Sequence, residues 1–205
     1  MSNRPLRILI IDANAVRAAI LEDGLRGAGD APDAFAIEHI RDTVNLLSRI
    51  AVIDPDVVLI DLENPSRDTL EQMFQVSRLA RRPIAMFVDQ SDRASVQAAI
   101  DAGVSAYVVD GLRKERVKPI LDVTISRFHA FARLEAELRD AKSALEDRKV
   151  IDQAKAILMK QRNLSEEDAY GLLRRTAMNQ NRKIADLARS LLAAAALLDS
   201  GHSNG

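Results

Sequence analysis

The feature that most restricts the fold is an alternation in the first 125 residues, where short apolar runs are separated by amphipathic helical stretches. Leu6–Ile11 (LRILII) lacks regular polar alternation and predicts a strand covered on both faces, and Asp56–Ile60 (DVVLI) predicts another strand. Phe35–Ile40, Pro83–Val88 and Ala106–Val109 supply three more strands. Between them, Ala15–Gly27, Thr43–Ala51, Asp68–Ala80 and Asp92–Ala102 read as helices, the last closed by Gly103. Five strand–helix units in a row predict an α/β domain with a five-stranded parallel sheet and helices on both faces. In such sheets functional side chains gather just beyond the C-terminal ends of the strands. That rule singles out Asp12, Asp61, Val88, Asp89 and Asp110.

From about Glu115 the strands stop and the chain reads as helix. Phe131, Leu134, Leu138, Ala141 and Leu145 recur in steps of three and four, an a/d seam of two heptads on a long helix. A seam this short needs support elsewhere to hold a dimer. A break falls at Arg162-Asn163-Leu164, and Ser165 with Asp168 has the spacing of a capping box that opens the next helix. Asn179-Gln180-Asn181 forms a turn, and Asn181 or its neighbour caps a last helix over 183–198. Three apolar stripes at helical spacing make a core: Val150, Ile151, Ala154, Ile157 and Leu158; Ala169, Leu172, Leu173, Thr176 and Ala177; Ile184, Leu187, Ala188 and Leu191. The expected division is a domain over 1–124, a helical coiled-coil linker over 125–147, a three-helix domain over 148–199 and a disordered tail over 200–205.

Charge divides the same way. Residues 1–147 carry 19 Lys/Arg against 24 Asp/Glu, whereas 148–189 carry 10 against 5. A basic module on an acidic chain suits a polyanion. The absence of Cys excludes disulfides, thiolate metal sites and cysteine nucleophiles. No apolar run approaches the ~20 residues of a membrane span, so no membrane role and a cytoplasmic address are expected. The histidines (His39, His129, His202) lie far apart in sequence and no nucleophile motif accompanies them, which argues against an enzyme.

The motifs RILIIDAN (7–14), PDVVLIDLENP (55–65) and AGVSAYVV (102–109) give residues 1–125 a resemblance to response-regulator receiver domains, which have a flavodoxin-like fold. By position Asp61 matches the phospho-accepting aspartate and Asp12 one of two metal-binding carboxylates. The resemblance implies Mg²⁺ held by Asp12 and Asp61, and a histidine kinase as phosphoryl source. The departures bear on that chemistry. Ala13 stands where the second acidic residue belongs, Val88 where a hydroxyl belongs, and Asp110 where a lysine belongs. A carboxylate attacking a phosphoryl group needs cations around it, so this acidic pocket (Asp12, Asp61, Asp89, Asp110) points to a weak Mg²⁺ site and to control by a protein partner or by dimerisation. Clustered carboxylates also raise one another's pKa.

ALEDRKVIDQAKAILMK (144–160) and LSEEDAYGLLRRTAMNQNRKIADLA (164–188) resemble the ANTAR family of RNA-binding antitermination domains, with Ala156 where a Gly often stands. The stripes above agree with a three-helix module of that kind and leave Lys149, Lys155, Arg162, Arg174, Arg175, Asn179, Arg182 and Lys183 as candidate RNA contacts. Arg175 and Asn179 share a helix face. Arg182 and Lys183 open the next helix, where free N–H groups favour phosphate. Guanidinium and amide groups can read unpaired bases in an RNA loop; Tyr170 is the module's one aromatic, so base stacking is not its means. MFVDQSD (86–92) and AYVVDGL (106–112) look most like the NasT-type regulators of nitrate assimilation. That resemblance implies a homodimer that binds structured leader RNA, sequestered by a NasS-like nitrate-sensing protein. Two other readings stay open: a DNA-binding response regulator with 179–181 as the turn of a helix-turn-helix, and a scaffold whose helical end binds protein.

Overall fold

The computed structural model describes residues 4–27 and 34–201. The expected tail lies outside them from residue 202 on, and the last helix runs to Gly201. Strands β1 (Leu6–Ile11), β2 (Phe35–Ile40), β3 (Val57–Asp61), β4 (Ile84–Val88) and β5 (Ala106–Val109) form one parallel sheet in the order β2-β1-β3-β4-β5. Helices α1 (Ala15–Arg26), α2 (Leu46–Ile53), α3 (Arg67–Ala80) and α4 (Arg93–Asp101) connect them. Then come α5 (Lys114–Arg162), α6 (Glu166–Asn179) and α7 (Ile184–Gly201). The chain divides into two compact units, Met1–Ala132 and Arg133–Gly205, and α5 contributes residues to both.

Within the first unit, side chains alternate strictly between two cores, as the two-residue period of a strand requires. Leu9, Ile11, Val58, Ile60, Ile84, Met86 and Val88 pack with α2, α3 and α4 through Leu46, Ile50, Leu70, Met73, Phe74 and Ala99. Ile8, Ile10, Val57, Leu59, Ala85 and Phe87 pack with α1 and α5 through Leu21, Leu25, Val117 and Leu121. The solid apolar runs in the sequence are this two-sided burial.

Helix α2 begins three residues later than the periodicity predicts. Asp42 accepts from the Val44 N–H at 3.0 Å, an Asx turn, and Asn45 adopts a left-handed φ of 51°. These local bonds hold 43–45 out of the helix. At its other end Asp54 is also left-handed, before Pro55.

In the second unit, Ala154 and Leu158 of α5, Ala169 and Leu173 of α6, and Ala188 of α7 make a core, flanked by Val150, Ile151, Leu164, Leu172, Ile184, Leu187 and Leu191. Ser165 caps α6: its Oγ accepts from the Asp168 N–H at 3.1 Å and donates to the Asp168 carboxylate at 2.7 Å. The turn after α6 is a Schellman motif. The Arg182 N–H reaches the Ala177 carbonyl, the Asn181 N–H reaches that of Met178, and Asn181 supplies the left-handed residue. Asn181 thus closes α6 rather than capping α7, whose first carbonyl acceptor is that of Lys183.

Helix α1 packs on α5 at Gly24, where a Cβ would lie 2.6 Å from the Lys114 carbonyl oxygen and 2.7 Å from Val117. Gly24→Ala is expected to cost about 1–3 kcal/mol, read in urea titrations from hydrogen exchange at the β1 amides.

Candidate functional site

The C-terminal ends of β1, β3 and β4 bring Asp12, Asp61 and Asp89 to one edge of the sheet, with α1 starting beside them. Asp61 ends β3 and its carboxylate is wholly buried. Asp12 follows β1. Its Oδ1 accepts from the Asn14 N–H at 2.7 Å, while its Oδ2 is buried without a hydrogen-bond partner. Asn14 caps α1 by accepting from the N–H groups of Val16 and Arg17, and its amide donates to Glu63 at 2.7 Å. This cap sets the direction of the first turn of α1.

That turn delivers Arg17 into the cluster. Its Nε donates to Asp61 Oδ2 at 2.6 Å and its Nη2 to Asp61 Oδ1 at 2.7 Å, a bidentate fork. Nη1 meets Asp89 at 2.9 Å, and Nε lies 3.8 Å from Glu63. Burial pushes the Asp12 carboxyl above the usual aspartate range, opposed by its bond from the Asn14 N–H and assisted by the charge of Asp61. The hydrogen bond to Asp61 makes Arg17 hold its proton still more tightly. Asp110 is exposed in a left-handed conformation after β5, its N–H donates to the Val88 carbonyl at 2.9 Å, and it joins none of these ion pairs. Arg17 and Glu63 are the members that strand-end logic misses. Their signals were a cation in the turn after Asp12 and a second acid two residues past Asp61.

Receiver domains imply Mg²⁺ at this place, and the residues here do not fit it. An octahedral ion needs several free oxygens, but both Asp61 oxygens face the Arg17 guanidinium and Ala13 offers no carboxylate. Val88 is a buried core residue with no hydroxyl to hold a phosphoryl oxygen.

In the second unit the candidate cations separate into two groups. Lys155 is spent on structure: its ammonium sits 2.7 Å from both Asp152 and Glu166, tying α5 to the start of α6. Arg189 likewise bridges Asp147 and Asp186. Arg182 lies along α7, donating to the Asp186 carbonyl at 3.1 Å and to Ser190 Oγ at 2.8 Å. By contrast Lys149, Arg162, Arg174, Arg175 and Lys183 are exposed and form no ion pair among the described residues; Asn179 is exposed as well. Arg174, Arg175, Asn179 and Lys183 belong to the end of α6 and the turn into α7.

The model of the ANTAR domain matches residues 139–192. This unit is an ANTAR domain. Across 92% of the chain and 90% of the relative, the sequence is 28% identical to Transcriptional regulatory protein PdtaR of Mycobacterium tuberculosis. A stretch of 80 residues, 39% of this chain and 20% of that protein, is 38% identical to the Nitrate regulatory protein of Klebsiella oxytoca. The sheet-bearing unit is similar in fold to the response regulator receiver domain protein (CheY-like) of Methanospirillum hungatei. The TM-score is 0.51 at 16% identity, covering 62% of this chain and 98% of that one. The ANTAR domain therefore follows a receiver fold. Among the described residues no helix is long and apolar enough to cross a membrane.

Asp12 keeps its proton to higher pH in the folded state than in the unfolded one, so ionising it at neutral pH costs folded-state stability. Asp12→Asn is expected to raise the urea midpoint at pH 7. The gain should shrink as pH falls and vanish below the unfolded aspartate value of about 3.9, where Asp12 is protonated in both states; urea titrations across pH 3–8 check it.

Proposed function

We propose that this chain is a transcription antitermination regulator whose ANTAR domain binds hairpin-containing leader RNA. The observation that carries this reading is the group of Arg174, Arg175, Asn179 and Lys183, exposed around the α6–α7 turn, its cations in no ion pair among the described residues, whereas Lys155 and Arg189 are tied into ion pairs. Unpaired guanidinium and ammonium groups are available to phosphates, and Asn179 beside Arg175 offers hydrogen bonds to unpaired bases. Lys149 and Arg162 lie outside this group and supply further charge; Lys155 and Arg182 act chiefly on the fold.

The RNA-binding form is a homodimer. Phe131, Leu134, Leu138 and Leu145 are each more than half exposed on one face of α5, a stripe that calls for a covering partner. With Phe131, Leu138 and Leu145 at a and Leu134 and Ala141 at d, Glu137 falls at g and Lys142 at the following e. Those positions meet across a parallel, in-register pair of helices, so the partner is a second copy. Two ANTAR domains then engage paired hairpins, and tethering multiplies the affinity of each.

The likeness to the Nitrate regulatory protein and the MFVDQSD and AYVVDGL segments support nitrate and nitrite assimilation genes as targets, with a NasS-like sensor protein as the controlling partner.

Binding to the leader transcript of the neighbouring operon, compared with promoter duplex, tests the reading. Arg175→Ala and Lys183→Ala should each weaken leader RNA binding about 5–10-fold and flatten its salt dependence by about one unit of slope. Unchanged affinity in both, or preference for the duplex, would overturn the proposal. Leu138→Lys should abolish the dimer in analytical ultracentrifugation and weaken binding to two-hairpin RNA while leaving single-hairpin binding intact.

A further inference from the structure

Asp61, Glu63 and Asp89 converge on one side chain, and it is not the ion that a receiver pocket is built around. Two nearly buried aspartates, Asp12 and Asp61, stand at the end of a low-dielectric sheet. Without positive charge nearby, their ionisation would be costly. In a phosphorylatable receiver a divalent cation meets this need. Here the guanidinium of Arg17 covers both oxygens of Asp61, and Asp61 Oδ1 also lies 3.3 Å from the Glu63 N–H. The third nitrogen of Arg17 binds Asp89, which follows β4. Arg17 is itself largely buried, with 17% of its side chain exposed. It is therefore a fixed member of the site and not a surface charge passing over it.

Three consequences follow from this geometry. Asp61 has no oxygen directed at open solvent from which to attack a phosphoryl group. The positive charge is bound through N–H groups of fixed direction, so it offers no open coordination position to gather phosphoryl oxygens. The cluster nonetheless holds four carboxylates against one guanidinium, and Asp12 Oδ2 is buried with no partner. Removing Arg17 would leave those oxygens with nothing to neutralise them but a cation from solution.

We infer that Arg17 is the resident cation of this receiver, that it excludes divalent metal and locks Asp61 in an ion pair closed to phosphoryl transfer, and that deleting its charge opens a divalent-cation site on Asp12, Asp61, Glu63 and Asp89. The inference deepens the view that control does not enter through Asp61. It rests on the receiver fold and not on RNA recognition, so a failure to bind RNA would leave it standing, and its own failure would leave RNA binding standing.

The experiment is a calorimetric titration of the full chain with MgCl₂ and MnCl₂. It is run beside thermal unfolding with and without each metal, and beside mass spectrometry after incubation with acetyl phosphate and Mg²⁺. The native protein should show no saturable metal binding in the millimolar range, no metal-dependent rise in Tm and no phosphorylated adduct. Arg17→Ala should bind Mn²⁺ and Mg²⁺ at least tenfold more tightly than the native protein, and its Tm should rise with added metal. Arg17→Gln, which keeps hydrogen-bond donors without the charge, should do the same and guards against a folding failure. Adding Asp61→Asn to either should remove the gained binding. Saturable Mg²⁺ binding or labelling of Asp61 in the native protein would overturn the inference. So would Arg17 variants that are folded by circular dichroism yet bind metal no better than the native chain. Should neither variant fold, the native protein's titration and labelling decide it alone.

Discussion

A parallel sheet must be buried on both faces, because each strand-to-strand connection passes over a face and is made here by a helix. That constraint organises the whole first unit. It demands strands with apolar side chains in both directions, which Leu6–Ile11, Val57–Asp61 and Ile84–Val88 supply. It also aligns the strands, so that their C-terminal ends and the loops after them fall on one edge. Asp12, Asp61 and Asp89 are neighbours for that reason, although 49 and 28 positions separate successive members in sequence.

Once the carboxylates are gathered, electrostatics decides what the edge can do. Buried charges persist only when paired or hydrogen-bonded. An acidic pocket of this kind can be completed by solute cations. In this chain the Asn14 cap sets the first turn of α1 so that Arg17 completes it from within. The replacement of an exchangeable ion by a covalently attached one converts a reactive pocket into a structural joint between α1 and the loops after β3 and β4. The substitutions Ala13 and Val88 are consistent with that change, since neither a second metal ligand nor a phosphoryl-binding hydroxyl has any use in a closed ion pair.

The ANTAR domain divides its residues by a different rule. Its core is built from small and medium side chains, with Ala154, Ala169 and Ala188 fully buried. Its charges are sorted by whether an acidic residue lies within reach. Lys155 and Arg189 have such partners and tie helices together. Arg174, Arg175 and Lys183 do not, and so remain available at the turn between α6 and α7. These unpaired cations flank a Schellman turn whose hydrogen bonds join the Arg182 and Asn181 N–H groups to the last carbonyls of α6.

The amino-acid sequence alone determined the elements and their order. Strand and helix periodicities are local, and the apolar stripes of 148–191 predict the helices that pack. The shift of α2 escaped because an Asx turn at Asp42 and a left-handed Asn45 outweigh apolar periodicity over three residues. The pocket was legible in Asp12, Asp61 and Asp89, since strand ends are readable from sequence. Asp110 follows β5 at the same edge, exposed and left-handed, and takes no part in those ion pairs. Only the tertiary structure decided which cation meets which carboxylate. Arg17 lies 44 residues from Asp61, and Lys155 lies 11 from Glu166. Ion pairs depend on a few ångströms of separation, and no pattern of residue types specifies distances across a fold.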